Sequence, residues 1–311
     1  MTTKEKKILI AAPRGWCAGV DRAVEIVELA LERYGEPVYV RKQIVHNLHV
    51  VKSLEAKGAV FVESEEEVPE GAICVFSAHG VSPEVHANAL KRNLRVIDAT
   101  CPLVTKVHVE AKRFAGQGRT IFLIGHEGHE EIEGTSGEAP DQTVVVESPE
   151  QAYEVEVADP EKVAFISQTT LAVDDTKQVV DALRKKYPLI VGPTKDDICY
   201  ASQNRQEAVK AMAERADVVF VVGSENSSNS NRLVEVAKEA GAKSWLIQDE
   251  TSIEPSWVDD ADVIGISSGA STPEVLVERV VAFLADRGIV EVEEIEVARE
   301  DVHFPVPQDL Q

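Results

Sequence analysis

In LRVIDATCPLVTKVHVEAKRF, residues 94–114, a short β-branched apolar run gives way to a polar turn and then to apolar residues at a different period. The run before Asp98 suits a buried strand, whereas Val104, Val107, Ala111 and Phe114 recur every three or four residues, the spacing of one helix face. Pro102 fits the first helical position, where a missing N–H costs nothing and the fixed φ is already helical. Cys101 therefore stands at the turn from strand to helix.

The same alternation recurs along the chain. KILIAAP (7–13), EPVYVRK (36–42), AICVFSAH (72–79), TIFLIGH (120–126), KVAFISQ (162–168), DVVFVVGS (217–224) and DVIGISSG (262–269) each run into a polar or Gly-rich turn. Amphipathic stretches such as Val20, Val24, Val27 and Leu31 separate them. Short apolar runs alternating with helices predict an α/β fold with mainly parallel sheets. Two further junctions repeat the strand–cysteine–helix order, APRGWCAGVDRAV around Cys17 and DDICYASQNRQEAV around Cys199. Cys17, Cys101 and Cys199 are 84 and 98 residues apart, about one small α/β unit each. This predicts three similar units, 1–100, 101–196 and 197–282. A tail, 283–311, would dock back on the body through its Val, Phe and Pro residues.

Composition narrows the function. The 311 residues carry 54 Asp and Glu against 32 Lys and Arg, a formal charge of −22, and there is no basic cluster to attract a nucleic acid or an anionic membrane. Four widely spaced cysteines are not the framework of a small secreted domain. The N-terminus lacks a signal-peptide core and no run reaches the roughly 20 apolar residues of a membrane span. A cytoplasmic enzyme or binding protein is expected.

In parallel α/β sheets ligands bind beyond the carboxyl ends of the strands. Those ends are rich here in His46, His79, His126, His129, Glu131, Thr169, Thr170, Ser227, Ser228, Asn229 and Ser271, many beside glycine. Uncharged donors and His of this kind suit a clustered anionic oxygen group such as a diphosphate. One strand-end cysteine is ordinarily a small buried hydrophobe, as Cys74 within AICVFS is expected to be. Three in one setting point to metal, and a helix start favours the thiolate that binds it. Zinc sites usually draw on close cysteine pairs, which are absent, so an iron–sulfur cluster with one iron left open fits better. No dinucleotide fingerprint or P-loop occurs. Gly265-Ile-Ser-Ser-Gly269 matches a hydrolase nucleophile elbow on Ser267. A serine hydrolase and a zinc-bound or metal-free phosphosugar-binding protein thus stand as rival readings.

The blocks GWCAGVDRAV, RKQIVHNLHVV, FSAHGVSP, DATCPLVTKVH, GHEGHEEIEGT, SQTTLAVDDT, KDDICYASQNRQ, GSENSSNSNRL and SGASTPE together resemble the 4-hydroxy-3-methylbut-2-enyl diphosphate reductases, the last enzymes of the methylerythritol phosphate route to isoprenoids. The likeness spans about residues 8 to 275. It implies three α/β units around a [4Fe–4S] cluster on Cys17, Cys101 and Cys199. It also implies a diphosphate held by His46, His79, His129, Ser227, Ser228, Asn229 and Ser271, with Thr169 close to the substrate hydroxyl, Thr170 among the substrate-binding residues and Glu131 taking part in proton delivery. The implied reaction removes that hydroxyl as water and yields isopentenyl and dimethylallyl diphosphates, with electrons from a separate ferredoxin- or flavodoxin-type carrier. One departure stands out: where the family usually has proline, this chain has Glu130.

Overall fold

The structure, a computed structural model, describes residues 6–311. Their strands and α-helices are, in chain order, β1 (Lys7–Ala12), α1 (Ala18–Tyr34), β2 (Val38–Arg41), α2 (Leu48–Glu55), β3 (Ala59–Val62), β4 (Ile73–Phe76), α3 (Pro83–Lys91), β5 (Arg95–Asp98), α4 (Pro102–Gly116), β6 (Thr120–Ile124), α5 (Glu130–Ser136), β7 (Thr143–Val146), α6 (Pro149–Glu154), β8 (Val163–Ser167), α7 (Val173–Lys186), α8 (Tyr200–Ala213), β9 (Val218–Val222), α9 (Ser228–Glu239), β10 (Lys243–Ile247), α10 (Pro255–Asp259), β11 (Val263–Ser268), α11 (Glu274–Ala285) and β12 (Glu291–Glu296). Among the described residues they form three sheets, β10-β9-β11-β1-β12, β3-β2-β4-β5 and β7-β6-β8, and all the paired strands in them run parallel. The α/β class and its parallel sheets are as expected from the alternation of apolar runs and helices.

The chain forms two compact units. One comprises the residues up to Ala18, His46–Val50 and Tyr200–His303. The strands β9, β11 and β1 of its five-stranded sheet are buried on both faces. Ile8, Ile10, Phe220 and Ile266 pack with Leu276, Val280 and Leu284 of α11, and Leu9, Ala11, Val219 and Val221 pack with Met212 of α8 and Leu233 of α9. Successive residues of β1 thus enter opposite cores, which explains why KILIAA lacks polar alternation. The edge strand β12 carries Glu291, Glu293, Glu294 and Glu296, charges that discourage further strand addition.

The other unit comprises Gly19–Val45, Val51–Cys199 and Phe304–Gln311 and holds the two smaller sheets. Phe76, Val81, Ala89 and Leu94 form one core together with Cys74, which is fully buried. Phe122, Phe165, Leu183 and Tyr187 form a second, and Val107, Ala111 and Phe114 of α4 close a third over Ile121 and Leu123.

Sheet membership departs from consecutive thirds at one strand. β1, from the stretch 1–100, is hydrogen-bonded between β11 and β12 and not to β2–β5. An all-apolar strand needs cover on both faces, which the five-stranded sheet provides, whereas β2 alternates between buried and half-buried positions. The stretch 283–311 supplies β12 and then, from Phe304, part of the second unit. No helix among the described residues is long and apolar enough to cross a membrane.

Candidate active site

In the first unit the turn after β1 is shaped by Gly15 at φ +67°, where a Cβ would lie 3.3 Å from the Thr272 carbonyl oxygen. Cys17 follows, half-buried, and its N–H donates to the Ala270 carbonyl at 3.2 Å. The N–H of Ala270 in turn donates to Asn229 Oδ1 at 2.8 Å. Ser227 caps α9 by accepting from the Ser230 N–H at 3.2 Å, and Ser228 opens the helix. Ser271 Oγ donates to the His46 carbonyl at 2.9 Å. The Asn226 amide nitrogen lies 3.2 Å from His46 Nδ1. Ser271 is thus tied to the His46 backbone and Asn229 to the neighbouring Ala270, with Ser227 and Ser228 at the start of the same helix as Asn229.

The second unit gathers the titratable groups. Cys101 is the cap residue of α4, with Pro102 at the first helical position, and its N–H donates to the Ala78 carbonyl at 3.0 Å. The next residue, His79, has Nδ1 3.3 Å from Ser77 Oγ and 3.2 Å from a Glu130 carboxylate oxygen. Its ring meets that of His129 edge-on at 5.9 Å. Burial, and then Lys42, push the His79 imidazole down to about 4. Burial, with His79 next in weight, does the same to His129. Both rings are therefore neutral near pH 7. His129 caps α5 by accepting the Glu131 N–H at Nδ1, 3.1 Å away, which leaves a proton on Nε2 as a donor.

Glu131 is only 2% exposed, in contrast to a solvated member of the run Glu127, Glu130, Glu131, Glu133. Its carboxylate accepts the Thr169 N–H at 2.6 Å and the Thr169 hydroxyl at 2.9 Å. Burial pushes the carboxyl up to about 7 despite these two bonds, and Asp197 adds to the rise. Cys199, half-buried and directly before α8, donates its N–H to the carbonyl of the same Thr169 at 3.0 Å. Thr170 Oγ1 accepts from Gln168 Nε2 at 2.8 Å. All three strand-end cysteines thus fasten their backbone N–H to a residue at or beside a polar strand end: Ala270 next to Ser271, Ala78 next to His79, and Thr169 itself.

The α5 helix reaches this position through glycine. A Cβ on Gly134 would sit 3.1 Å from the Gly80 carbonyl oxygen, and Gly80, at φ +80°, has space for a Cβ only 3.0 Å from His108 Nε2. His108 is held from behind by Glu138 at 2.8 Å, and Glu138 by Lys112 at 3.0 Å.

Several contributors escape a motif reading. Gln168 is fully buried and also accepts the His126 N–H at 3.1 Å, and Asp197 takes the Ser167 N–H at 3.0 Å and Lys106 at 3.0 Å. Both flank polar strand ends, which is the one signal the sequence offers for them. The hydrolase reading fails: Ser267 lies inside β11 and is fully buried, so no exposed elbow exists.

No disulfide joins the four cysteines. Burial pushes the Cys74 thiol up to about 12 and suits it to packing. The three half-buried cysteines at helix starts have the donor chemistry of thiolate ligands to iron and sulfide.

Comparison with known proteins follows the same lines. The LytB protein family model matches residues 8–285. The 4-hydroxy-3-methylbut-2-enyl diphosphate reductase of Acidothermus cellulolyticus is 59% identical over 307 residues, covering 98% of this chain and 90% of that one. The solved E-1-hydroxy-2-methyl-but-2-enyl-4-diphosphate reductase of Plasmodium falciparum is 36% identical, covers 98% of this chain and 97% of its own, and superposes with a TM-score of 0.95. A solved (E)-4-hydroxy-3-methyl-but-2-enyl diphosphate reductase, described as the terminal enzyme of the non-mevalonate pathway, is 33% identical over 90% of this chain and 99% of its own, with a TM-score of 0.64. With nearly its whole length matched by one family model and by relatives of such identity, this chain belongs to the LytB family.

Proposed function

We propose that the chain is a 4-hydroxy-3-methylbut-2-enyl diphosphate reductase, an iron–sulfur oxidoreductase acting in the cytoplasm at the end of the methylerythritol phosphate route. The substrate takes up two electrons and two protons, its allylic C–O bond breaks, and water leaves with isopentenyl or dimethylallyl diphosphate as product. Cys17, Cys101 and Cys199 hold a [4Fe–4S] cluster, and Cys74 takes no part. When bound, the cluster supplies electrons and a Lewis-acidic iron for the hydroxyl.

The observation that carries this reading is the Glu131–Thr169–Cys199 chain of contacts. It holds a buried acid with a carboxyl near 7 one residue's length from a cysteine loop. Hydroxide is a poor leaving group, so a carboxylic acid protonated at neutral pH and fixed by Thr169 is the group needed to release it as water. The Thr169 hydroxyl orients that acid and can turn to the substrate hydroxyl. His46, His79, His129, Ser227, Ser228, Asn229 and Ser271 bind the diphosphate end with hydrogen-bond donors, and Thr170 is a further substrate contact. Placing neutral donors around an anion avoids burying unpaired lysines when the site is empty. An external carrier of the ferredoxin or flavodoxin type brings the electrons.

Anaerobic purification tests the class directly: a brown protein with about four iron and four sulfide per chain is expected, the content of one cubane. A colourless, iron-free chain that nevertheless binds diphosphate would instead support the phosphosugar-binding alternative.

A further inference from the structure

Arg205 is a fully buried side chain that no step above uses. Its Nε and Nη2 donate to the Gly15 carbonyl at 3.1 and 2.7 Å, and Nη2 also reaches the Trp16 carbonyl at 3.3 Å. Nη1 donates to the Ala201 carbonyl at 2.9 Å and to both carboxylate oxygens of Glu300 at 3.0 and 3.2 Å. Glu300 also accepts from Asn204 at 3.0 Å. One guanidinium thus grips the two residues before Cys17 and is itself neutralised and oriented by a residue of the C-terminal segment. A planar fork of five donors on three nitrogens holds carbonyls and a carboxylate on different sides in one fixed geometry, which the single ammonium nitrogen of lysine does not match.

The second unit repeats the device with a different arginine. Arg22, in α1, donates through Nη1 to the carbonyls of Ala99 at 3.3 Å and Thr100 at 3.1 Å, the two residues before Cys101. Its Nε donates to the Pro305 carbonyl at 2.8 Å. In each unit, then, an arginine ties the backbone just ahead of a cysteine to the C-terminal segment.

We propose that the C-terminal segment, through Glu300 and Pro305, is a strap that sets the Cys17 and Cys101 loops for cluster binding, with Arg205 and Arg22 as its fastenings. These are positioning residues, whose hydrogen-bond partners are backbone carbonyls and Glu300. The assignment rests on the ligand set proposed above. Fixing the carbonyls ahead of each cysteine fixes the direction of its Cα–Cβ bond, which for a metal ligand governs how long the metal stays.

The test uses the full-length, anaerobically reconstituted protein and reads the rate of iron release to a ferrous chelator, the electron paramagnetic resonance signal of the reduced cluster, and the melting temperature of the cluster-free chain. Substituting Arg205 risks the fold, so Glu300 is changed instead. Glu300→Ala is expected to release iron about tenfold faster with an altered resonance line shape, the lower end of what lost outer-shell support costs a metal site. Glu300→Gln keeps an acceptor for Arg205 and Asn204 and is expected to restore both readouts. Arg22→Lys is expected to accelerate release in the same direction. Glu293→Gln, on β12 but paired with Lys7 and Arg215, away from any cysteine loop, serves as control and is expected to match the parent. Parent-like release and signal in both Glu300→Ala and Arg22→Lys overturn the strap, as does acceleration that also appears in Glu293→Gln or merely tracks a lower melting temperature. A parent protein that holds no cluster overturns the ligand set instead.

Discussion

The polar strand ends of the two units solve different problems. Around Ser227, Asn229 and Ser271 hydroxyls, an amide and backbone are joined by bonds that do not change between pH 5 and pH 8, with His46 the one imidazole beside them. Around the start of α5, two imidazoles and two carboxyls crowd together, and burial has moved His79, His129 and Glu131 toward their neutral forms. The first region offers the anion mostly groups that do not titrate near neutrality, whereas the second adds two neutral histidines and an acid that can lend or take a proton. The contrast divides substrate affinity from proton delivery and can be attacked from either side.

The largest effect is expected at Glu131. Glu131→Gln should retain cluster and substrate binding yet turn over at least about 100-fold more slowly, the lower end of what a positioned acid contributes. In the parent, kcat/KM should fall about tenfold per pH unit above about 7, as the acid loses its proton, and the substitution should abolish that limb. Stability follows the same proton. The folded chain binds it more tightly than the unfolded one, so its stabilisation is complete below the ordinary carboxylate range and is lost as pH rises through about 7. Melting curves should therefore show Glu131→Gln gaining on the parent at alkaline pH. A parent-like rate and pH profile would remove Glu131 from proton delivery.

Asn229→Ala should do less, and without a pH signature. Losing the acceptor for the Ala270 N–H should raise KM about tenfold, roughly the worth of one buried hydrogen bond, with kcat nearly unchanged. A pH-dependent KM in this variant would erase the contrast between the two regions. The smallest effect is expected at Glu130, whose carboxylate lies against His79 and opposes an incoming anion. Glu130→Gln should lower KM by about threefold at low salt and less at high salt, the scale of a partly exposed charge. An unchanged KM would mean that the Glu130 carboxylate turns away when substrate arrives.

The unequal legibility of these parts has physical causes. The strand–cysteine–helix junctions could be read because β-branched runs, Pro102 and helical spacing are local signals, and Cys101 duly caps α4. The partner of β1 could not be read. A doubly buried apolar strand suits any parallel sheet with two covered faces, and pairing through backbone leaves no address in KILIAA. The burial of Glu131 hides in an acidic run, although its helical phase gives it away: Glu131, Ile132 and Thr135 face inward while Glu133 faces out. Arg205 hides more completely, because a charged residue on an amphipathic helix reads as surface until its acceptors, Gly15, Trp16 and Glu300, arrive from distant sequence.

The contact between Gly134 and Gly80 sets a mechanical tolerance. Backbone rests on backbone there, so the helix bearing Glu131 and the loop bearing His79 behave as a single machined part with no gasket between them. Whatever shifts one by a few tenths of an ångström carries the other with it, and the acid and the histidine keep their mutual alignment through motions that would misalign two independently mounted side chains.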